Sequence, residues 1–198
     1  MIVGTGWTSP KVFGQIDSSM ILNTHRLLLR EIQIDDGTAL NAIESNEQVT
    51  RYQTFDPRTP EDTRAHIQRA IKQQSDSPRL FYDLAIVLLD SKTLIGRCGL
   101  GMFRPEHFEA GIWYELGIEH WGKGYASEAV SALLPFVFNE LRLHRLVADC
   151  DPRNEASCRL VRKLGFKLEG THRENYWLKG EWCNTEIYAM LRSDWRAD

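Results

Sequence analysis

The chain has little that would tie it to a membrane, a disulfide scaffold or a metal. In its 198 residues no apolar run reaches the roughly 18–20 residues of a membrane span. The opening Met1-Ile2-Val3-Gly4-Thr5-Gly6 lacks the basic and long apolar regions of a secretory signal. Four cysteines, Cys98, Cys150, Cys158 and Cys183, are widely spaced and form no C-x-x-C pair. That spacing predicts free thiols in a reducing cytoplasm. Six histidines show no H-E-x-x-H spacing, so no metal site is expected. Basic charge is not in excess: 24 Lys and Arg face 27 Asp and Glu, a net charge of −3. Nonspecific nucleic-acid binding therefore has no electrostatic basis. No internal repeat or low-complexity tract appears. What is there is an ordinary globular balance, 42% apolar and 26% charged, long enough for a sizeable core.

Taken in order, the periodicity predicts an α+β chain. Residues 1–20 carry scattered Gly, Ser, Thr and Pro and read as an irregular arm. Residues 21–198 read as a single domain. It opens with a strand over 21–30, where Leu27 and Leu29 alternate with Arg26, Leu28 and Arg30. Asp35 or Asp36 can cap a short helix reaching Ser45. Thr59-Pro60-Glu61-Asp62 is a stronger helix start: an N-cap residue, Pro, then first-turn acids. Ile67 and Ile71 carry that helix towards Gln74. The polar link over 46–58 holds Tyr52 and Phe55, which either pin the loop or face a site.

Residues 80–89 are a near-continuous apolar run, suited to a strand covered on both faces. Asp90-Ser91-Lys92 turns it into a partner over 93–103, where Gly96, Gly99 and Gly101 call for close approach or a bulge. Another strand follows at 109–117. Then Ala126, Ala129, Val130, Leu133, Leu134, Val137, Phe138 and Leu141 recur at helical spacing. Pro135 should bend this helix. A strand over 145–150 comes next, then a helix capped by Asn154 and stopped by Gly165. A hairpin over 166–178 and 182–191 completes the chain. This order places helices on the faces of one central sheet.

The strand at 109–117 runs into Trp121-Gly122-Lys123-Gly124-Tyr125-Ala126-Ser127-Glu128-Ala129. A strand that breaks into a glycine loop and then a helix leaves unpaired N–H groups at the helix start. They and the helix dipole favour an anion, most often a phosphate. Gly122 and Gly124 remove side chains where a phosphate could approach. On spacing alone, an ordinary tight turn fits equally well. The stretch resembles the acetyl-CoA pyrophosphate loop of the GCN5-related N-acetyltransferases (GNAT), Gln/Arg-x-x-Gly-x-Gly/Ala. Gly124 and Ala126 fill its last two places, and Trp121 stands where Gln or Arg is usual. With Thr24-His25-Arg26-Leu27-Leu28-Leu29-Arg30, the string is similar to the RimJ/RimL group, which includes ribosomal-protein N-terminal acetyltransferases.

That resemblance implies a GNAT fold: a central mixed, mostly antiparallel sheet flanked by helices, its fourth and fifth strands splayed to admit a pantetheine arm. It implies acetyl-CoA as cosubstrate, an amine acceptor, no metal, and often a homodimer. The cradle would be the amides of Gly122, Lys123, Gly124, Tyr125, Ala126 and Ser127, with the Ser127 hydroxyl. Lys123 would add charge or simply be solvated. The backbone of Leu116, Gly117 and Ile118 would pair with the pantetheine. Asn154-x-x-Ser157, followed by Lys163-Leu164-Gly165-Phe166, resembles the group's second motif. There Asn binds the pantetheine arm and Ser sits near the sulfur. Many relatives place a Tyr general acid seven residues after that Asn. Here the place holds Val161, so Ser157 is the candidate for stabilising the thiolate.

Acetyl transfer to an amine needs a polarised thioester carbonyl, removal of an ammonium proton and stabilisation of a departing thiolate. It needs no enzyme nucleophile. For the base, Glu115 lies beside the expected thioester, with a structural partnership to Arg97 or Arg142 as its plain alternative. Glu174 is the rival, two residues before Tyr176, which stands where the RimL-type Glu is expected; a water relay is the third possibility. Asn184 stands where the group often has Asp, with Glu186 two residues on. The reading is a cytoplasmic N-acetyltransferase acting on a primary amine, of a protein N-terminus or of a small molecule such as a polyamine or antibiotic. A non-catalytic acyl-CoA sensor is the alternative from another class.

Overall fold

The computed structural model describes residues 20–195, so the expected N-terminal arm lies outside the described residues except for Met20. The strands are β1 (Ile21–Asn23), β2 (Leu27–Glu31), β3 (Phe81–Leu88), β4 (Leu94–Arg104), β5 (Glu109–Leu116), β6 (Arg145–Cys150), β7 (Lys167–Leu178) and β8 (Glu181–Leu191). They form one sheet in the order β1-β2-β3-β4-β5-β6-β8-β7. Every pairing is antiparallel except β5 with β6. The α+β expectation holds, with helices α1 (Gly37–Glu44), α2 (Glu47–Thr50), α3 (Pro60–Gln74), α4 (Tyr125–Pro135) and α5 (Glu155–Lys163).

The apolar pattern explains the layers. β3 is buried along both faces, as its continuous run predicts. On one face, Leu133, Val137 and Phe138 pack with Leu146, Val161 and Tyr188 in the larger core. On the other, Leu40 of α1 and Ile67 and Ala70 of α3 cover Ala85 and Val87 of β3. Each fully buried side chain of this size contributes about 1.5–3 kcal/mol. The Thr59 capping box starts α3 as its sequence predicts, with Thr59 Oγ1 accepting from the Asp62 N–H. On β4, a Cβ at Gly99 would lie 2.1 Å from the Tyr82 carbonyl and 2.6 Å from the Trp113 ring, so close approach is the reason for glycine there.

Four local expectations change. The strand over 21–30 is two strands, because Thr24 Oγ1 accepts from the Leu27 N–H at 2.8 Å and closes a turn between β1 and β2. Asp36 does not cap α1 with its side chain. Its carboxylate instead takes the Arg30 guanidinium at 2.6 and 2.7 Å and the Gln33 N–H at 2.8 Å. The polar link over 46–58 contains α2, which Asn46 caps through the Gln48 N–H at 2.9 Å. At Pro135 the helix changes form rather than simply bending. Proline lacks the N–H an α-turn needs, and Phe136–Glu140 continue as a wider π turn.

Candidate active site

The site is built where the sheet parts. β5 and β6 pair only at Glu109 with Arg145, Ala110 with Leu146 and Gly111 with Val147. Beyond these pairs β5 continues to Leu116 alongside β4, while β6 continues to Cys150 alongside β8. The two strands therefore splay, which the periodicity could not show.

At the far end of β5, Gly117 donates its N–H to the Ile95 carbonyl at 2.9 Å. The Trp121 indole N–H donates to the Leu116 carbonyl at 2.8 Å. This gives Trp121 a role of its own: it folds the loop back onto the strand. Ile118 opens a 3-10 turn (Ile118–His120). The loop then places Gly122 at φ +73° and Gly124 at φ +81°, left-handed conformations that L side chains rarely adopt. Gly124 is the N-cap of α4, and a Cβ on Gly122 would meet nothing within 4 Å. The start of α4 thus follows two glycines in left-handed conformations, with open space at Gly122. A helix N-terminus left open in this way is suited to an anion.

In the gap between the splayed strands stand three side chains. Ser157 on α5 has its Oγ 2.8 Å from the Tyr114 hydroxyl of β5 and 3.3 Å from Cys150 Sγ of β6. Asn154 caps α5, its Oδ1 accepting from the Ser157 N–H at 3.2 Å, so the cap fixes where Ser157 begins its turn. Burial pushes the Tyr114 phenol well above its ordinary range, despite the Ser157 hydrogen bond. Burial pushes the Cys150 thiol up to about 12. Both hold their protons at neutral pH. Tyr114 was not among the expected site residues. The place on α5 where relatives carry a tyrosine holds Val161, fully buried in the core, whereas this tyrosine comes from β5.

The opposite face of the sheet carries a groove of about 1030 Å³, lined by Tyr52, Phe55, Trp113, Glu115, Asp149 and Tyr176 among others. Tyr52 and Phe55 therefore face a cavity as well as pinning their link. At its floor, Arg97 Nε donates to Glu115 at 2.7 Å and to Glu44 at 2.8 Å. Its Nη1 reaches Asp83 at 3.1 Å. Arg58 also holds Glu44, at 2.7 Å, and His66 Nε2 lies 3.0 Å from Asp83. Two guanidiniums thus face three buried carboxylates. Burial raises the Glu115 carboxyl to about 7, with the neighbouring Glu44 adding to the rise and Arg97 opposing it. Glu44 takes the other role: although burial alone would raise it, Arg97 and Arg58 hold its carboxyl below the ordinary range. Glu115 is thus the member of the cluster poised to gain or lose a proton near neutrality.

Glu174 is placed differently from expectation. β7 and β8 slip register between His172 and Tyr176, and Glu174 adopts φ +46° in that bulge. Its N–H donates to Asn184 Oδ1 at 2.8 Å, which is the structural work of Asn184. Two residues apart on a regular strand, Glu174 and Tyr176 would share a face, but the bulge breaks that alternation: Asn175 and Tyr176 line the groove and Glu174 does not. Asp149 was overlooked. On β6, Leu146, Ala148 and Cys150 are buried, so Val147 and Asp149 point the other way, into the groove. Asp149 has no ion-pair partner among the described residues, and burial, with Glu109 adding and His172 and Arg104 opposing, raises its carboxyl above the ordinary range. Strand alternation alone could have found it.

A model of the acetyltransferase (GNAT) domain matches residues 26–167. The chain belongs to the GNAT acetyltransferases. The GNAT assignment agrees with a solved acetyltransferase of this family from Bacillus anthracis: 29% identity, TM-score 0.79, covering 88% of this chain and 99% of that one. An uncharacterized N-acetyltransferase, p20, of Bacillus licheniformis is 32% identical over 183 residues, 88% of this chain and 97% of its own. Two further relatives, both from Escherichia coli, differ in acceptor. A ribosomal protein uS5-alanine N-acetyltransferase is 28% identical over 54% of this chain and 55% of its own. A spermidine N(1)-acetyltransferase is 24% identical over 89% of this chain and 91% of its own. This GNAT chain is thus an acetyl-CoA-dependent N-acetyltransferase. Among the described residues, no helix is long and apolar enough to cross a membrane and no cluster of His, Cys, Asp or Glu could hold a metal.

Proposed function

We propose that the chain acetylates a primary amine that enters the groove from the face opposite α5, by direct attack on the thioester. The observation that carries this reading is the gap between β5 and β6, which opens on one face to the Ser157–Tyr114 pair and on the other to Glu115 and Asp149. Acetyl-CoA supplies the activated acyl group. The cradle over Gly122–Ser127 holds its diphosphate. The backbone of Leu116, Gly117 and Ile118 and the side chain of Asn154 line the path of its pantetheine arm.

As the new C–N bond forms and the C–S bond breaks, the sulfur gains charge. Ser157 Oγ donates to that sulfur while accepting from Tyr114, a two-hydroxyl relay that ends on a phenol burial keeps protonated. The ammonium proton leaves on the other side. Glu115, raised by burial to about 7 against the opposing pull of Arg97, takes it through water in the groove. Glu174 stands outside the groove and is not needed for this step. Asp149 gives an approaching cation an unpaired carboxylate. That carboxylate suits an amine of a protein or of a polyamine, and the relatives' names include a ribosomal-protein alanine acetyltransferase and a spermidine acetyltransferase.

The test is thiol release from acetyl-CoA across an acceptor panel: peptides beginning with Ser, Ala, Met and Asp, then polyamines, aminoglycosides and free amino acids. Turnover with one amine class supports the reading and names the acceptor. Tight acetyl-CoA binding with no turnover on any amine would favour a sensor instead.

A further inference from the structure

The turn between β1 and β2 reaches across the fold to the glycine loop. The Arg26 side chain on that turn makes four contacts there. Its Nε donates to Glu128 Oε2 at 2.7 Å and its Nη2 lies 2.7 Å from the same oxygen. Its Nη1 donates to the Lys123 carbonyl at 3.0 Å. Its guanidinium lies 4.4 Å above the Tyr125 ring. The Arg26 backbone N–H also donates to Glu128 Oε1 at 2.9 Å, and the Thr24 hydroxyl lies 2.5 Å from that oxygen.

Glu128 is one turn into α4. A bare carboxylate so close to an anion-binding helix start would repel a diphosphate. Partial burial would raise the Glu128 carboxyl, but the bonds from Thr24 and Arg26 overcome this and hold it below the ordinary range. Glu128 therefore stays charged, and Arg26 neutralises it. The same guanidinium fixes Lys123 and Tyr125, which flank Gly124 in its left-handed turn. Its Nη2 lies 3.5 Å from where a Cβ on Gly124 would sit, so the cation borders the cradle itself. A planar fork is needed to reach a carboxylate and a carbonyl at once; a lysine has one point of charge.

We infer that Arg26 is a positioning residue for the diphosphate of acetyl-CoA. With Glu128 as its anchor, it locks the glycine loop in the shape that presents its amides. This rests on the acetyl-CoA reading above.

The experiment is calorimetric titration of the full chain with coenzyme A, in wild type, Arg26→Gln, Arg26→Lys and Glu128→Gln, with acetyl-CoA kinetics on the same proteins. Both Arg26 variants are expected to bind coenzyme A at least tenfold more weakly. KM for acetyl-CoA should rise while kcat at saturation stays within twofold, a split that general loss of fold would not produce. Glu128→Gln decides by sign. Simple electrostatics predicts tighter binding when a negative charge leaves a polyanion site. The clamp predicts binding several-fold weaker, because Arg26 loses its anchor. Binding of Arg26→Gln within twofold of wild type, or unchanged or tighter binding by Glu128→Gln, overturns the inference. If Arg26→Gln fails to fold, Arg26→Lys and Glu128→Gln carry the decision. A wild-type chain that does not bind coenzyme A would remove the cofactor reading itself, a distinguishable failure.

Discussion

Replacing Glu115 by Gln isolates the one carboxyl that burial holds near neutrality. The amide keeps an oxygen where Arg97 Nε donates at 2.7 Å, so the geometry of the cluster persists. Only the titration disappears. In the folded chain the Glu115 carboxyl is raised from 4.5 to about 7. Below pH 4.5 both folded and unfolded chains hold the proton. Between 4.5 and 7 the folded chain still holds it and the unfolded chain has released it. Unfolding then loses a proton, so wild-type stability falls as pH rises through that window. The displacement corresponds to about 3 kcal/mol at about 1.4 kcal/mol per pH unit. Urea unfolding of both proteins at pH 4, 5, 6, 7 and 8 measures it. The stability of Glu115→Gln relative to wild type should climb by about 3 kcal/mol across the series and level off above pH 7. Two curves that stay parallel would refute the placement of the titrating proton on Glu115. The same variant should lose the rising limb near pH 7 in the rate of acetyl transfer.

Ser157→Ala should lower kcat at saturating acetyl-CoA by about 10²-fold, within the range of a lost proton-transfer group. Tyr114→Phe should follow in the same direction with a stability change of only about 1 kcal/mol. Thiol-release kinetics and urea melts check both, and unchanged turnover in Ser157→Ala would remove it from the chemistry. Gly99→Ala should destabilise by about 1–3 kcal/mol or more, because its Cβ would overlap the Tyr82 carbonyl and the Trp113 ring; a chemical melt matching wild type would contradict that packing. Asp149→Asn should raise KM for a cationic acceptor about tenfold and leave KM for acetyl-CoA unchanged. An unchanged acceptor KM would place the ammonium elsewhere.

What could be read from the sequence was what short range dictates. Gly122 and Gly124 announce a glycine loop before a helix, Thr59-Pro60 a helix start and Asn154 a cap, because each acts on backbone groups within a few residues. What escaped depends on distant partners. Arg97 meets Asp83, Glu115 and Glu44, which lie up to 53 residues from it, and no local pattern marks that meeting. The Glu115–Arg97 contact was open as an alternative; its cost and its shift in proton affinity needed the burial. Tyr114 escaped because the proton donor was sought along a helix, while the sheet delivered one across the gap. The slip that carries Glu174 out of the groove is accompanied by a bond to Asn184, and the turn that splits β1 from β2 is closed by several bonds between Thr24 and residues 26–27; periodicity registers neither.

With only three rungs between β5 and β6, the sheet is mechanically two blades on a short hinge. One blade runs from β1 to β5, the other holds β6, β8 and β7. No backbone rungs join the seam where Ile112–Leu116 and Ala148–Cys150 part company. A molecule laid along the open edges would act as a splint, its own amides standing in for the missing rungs. Occupancy of this site should therefore be felt as rigidity far from it. Amides of β6 and β8 should exchange more slowly with solvent once the seam is bridged.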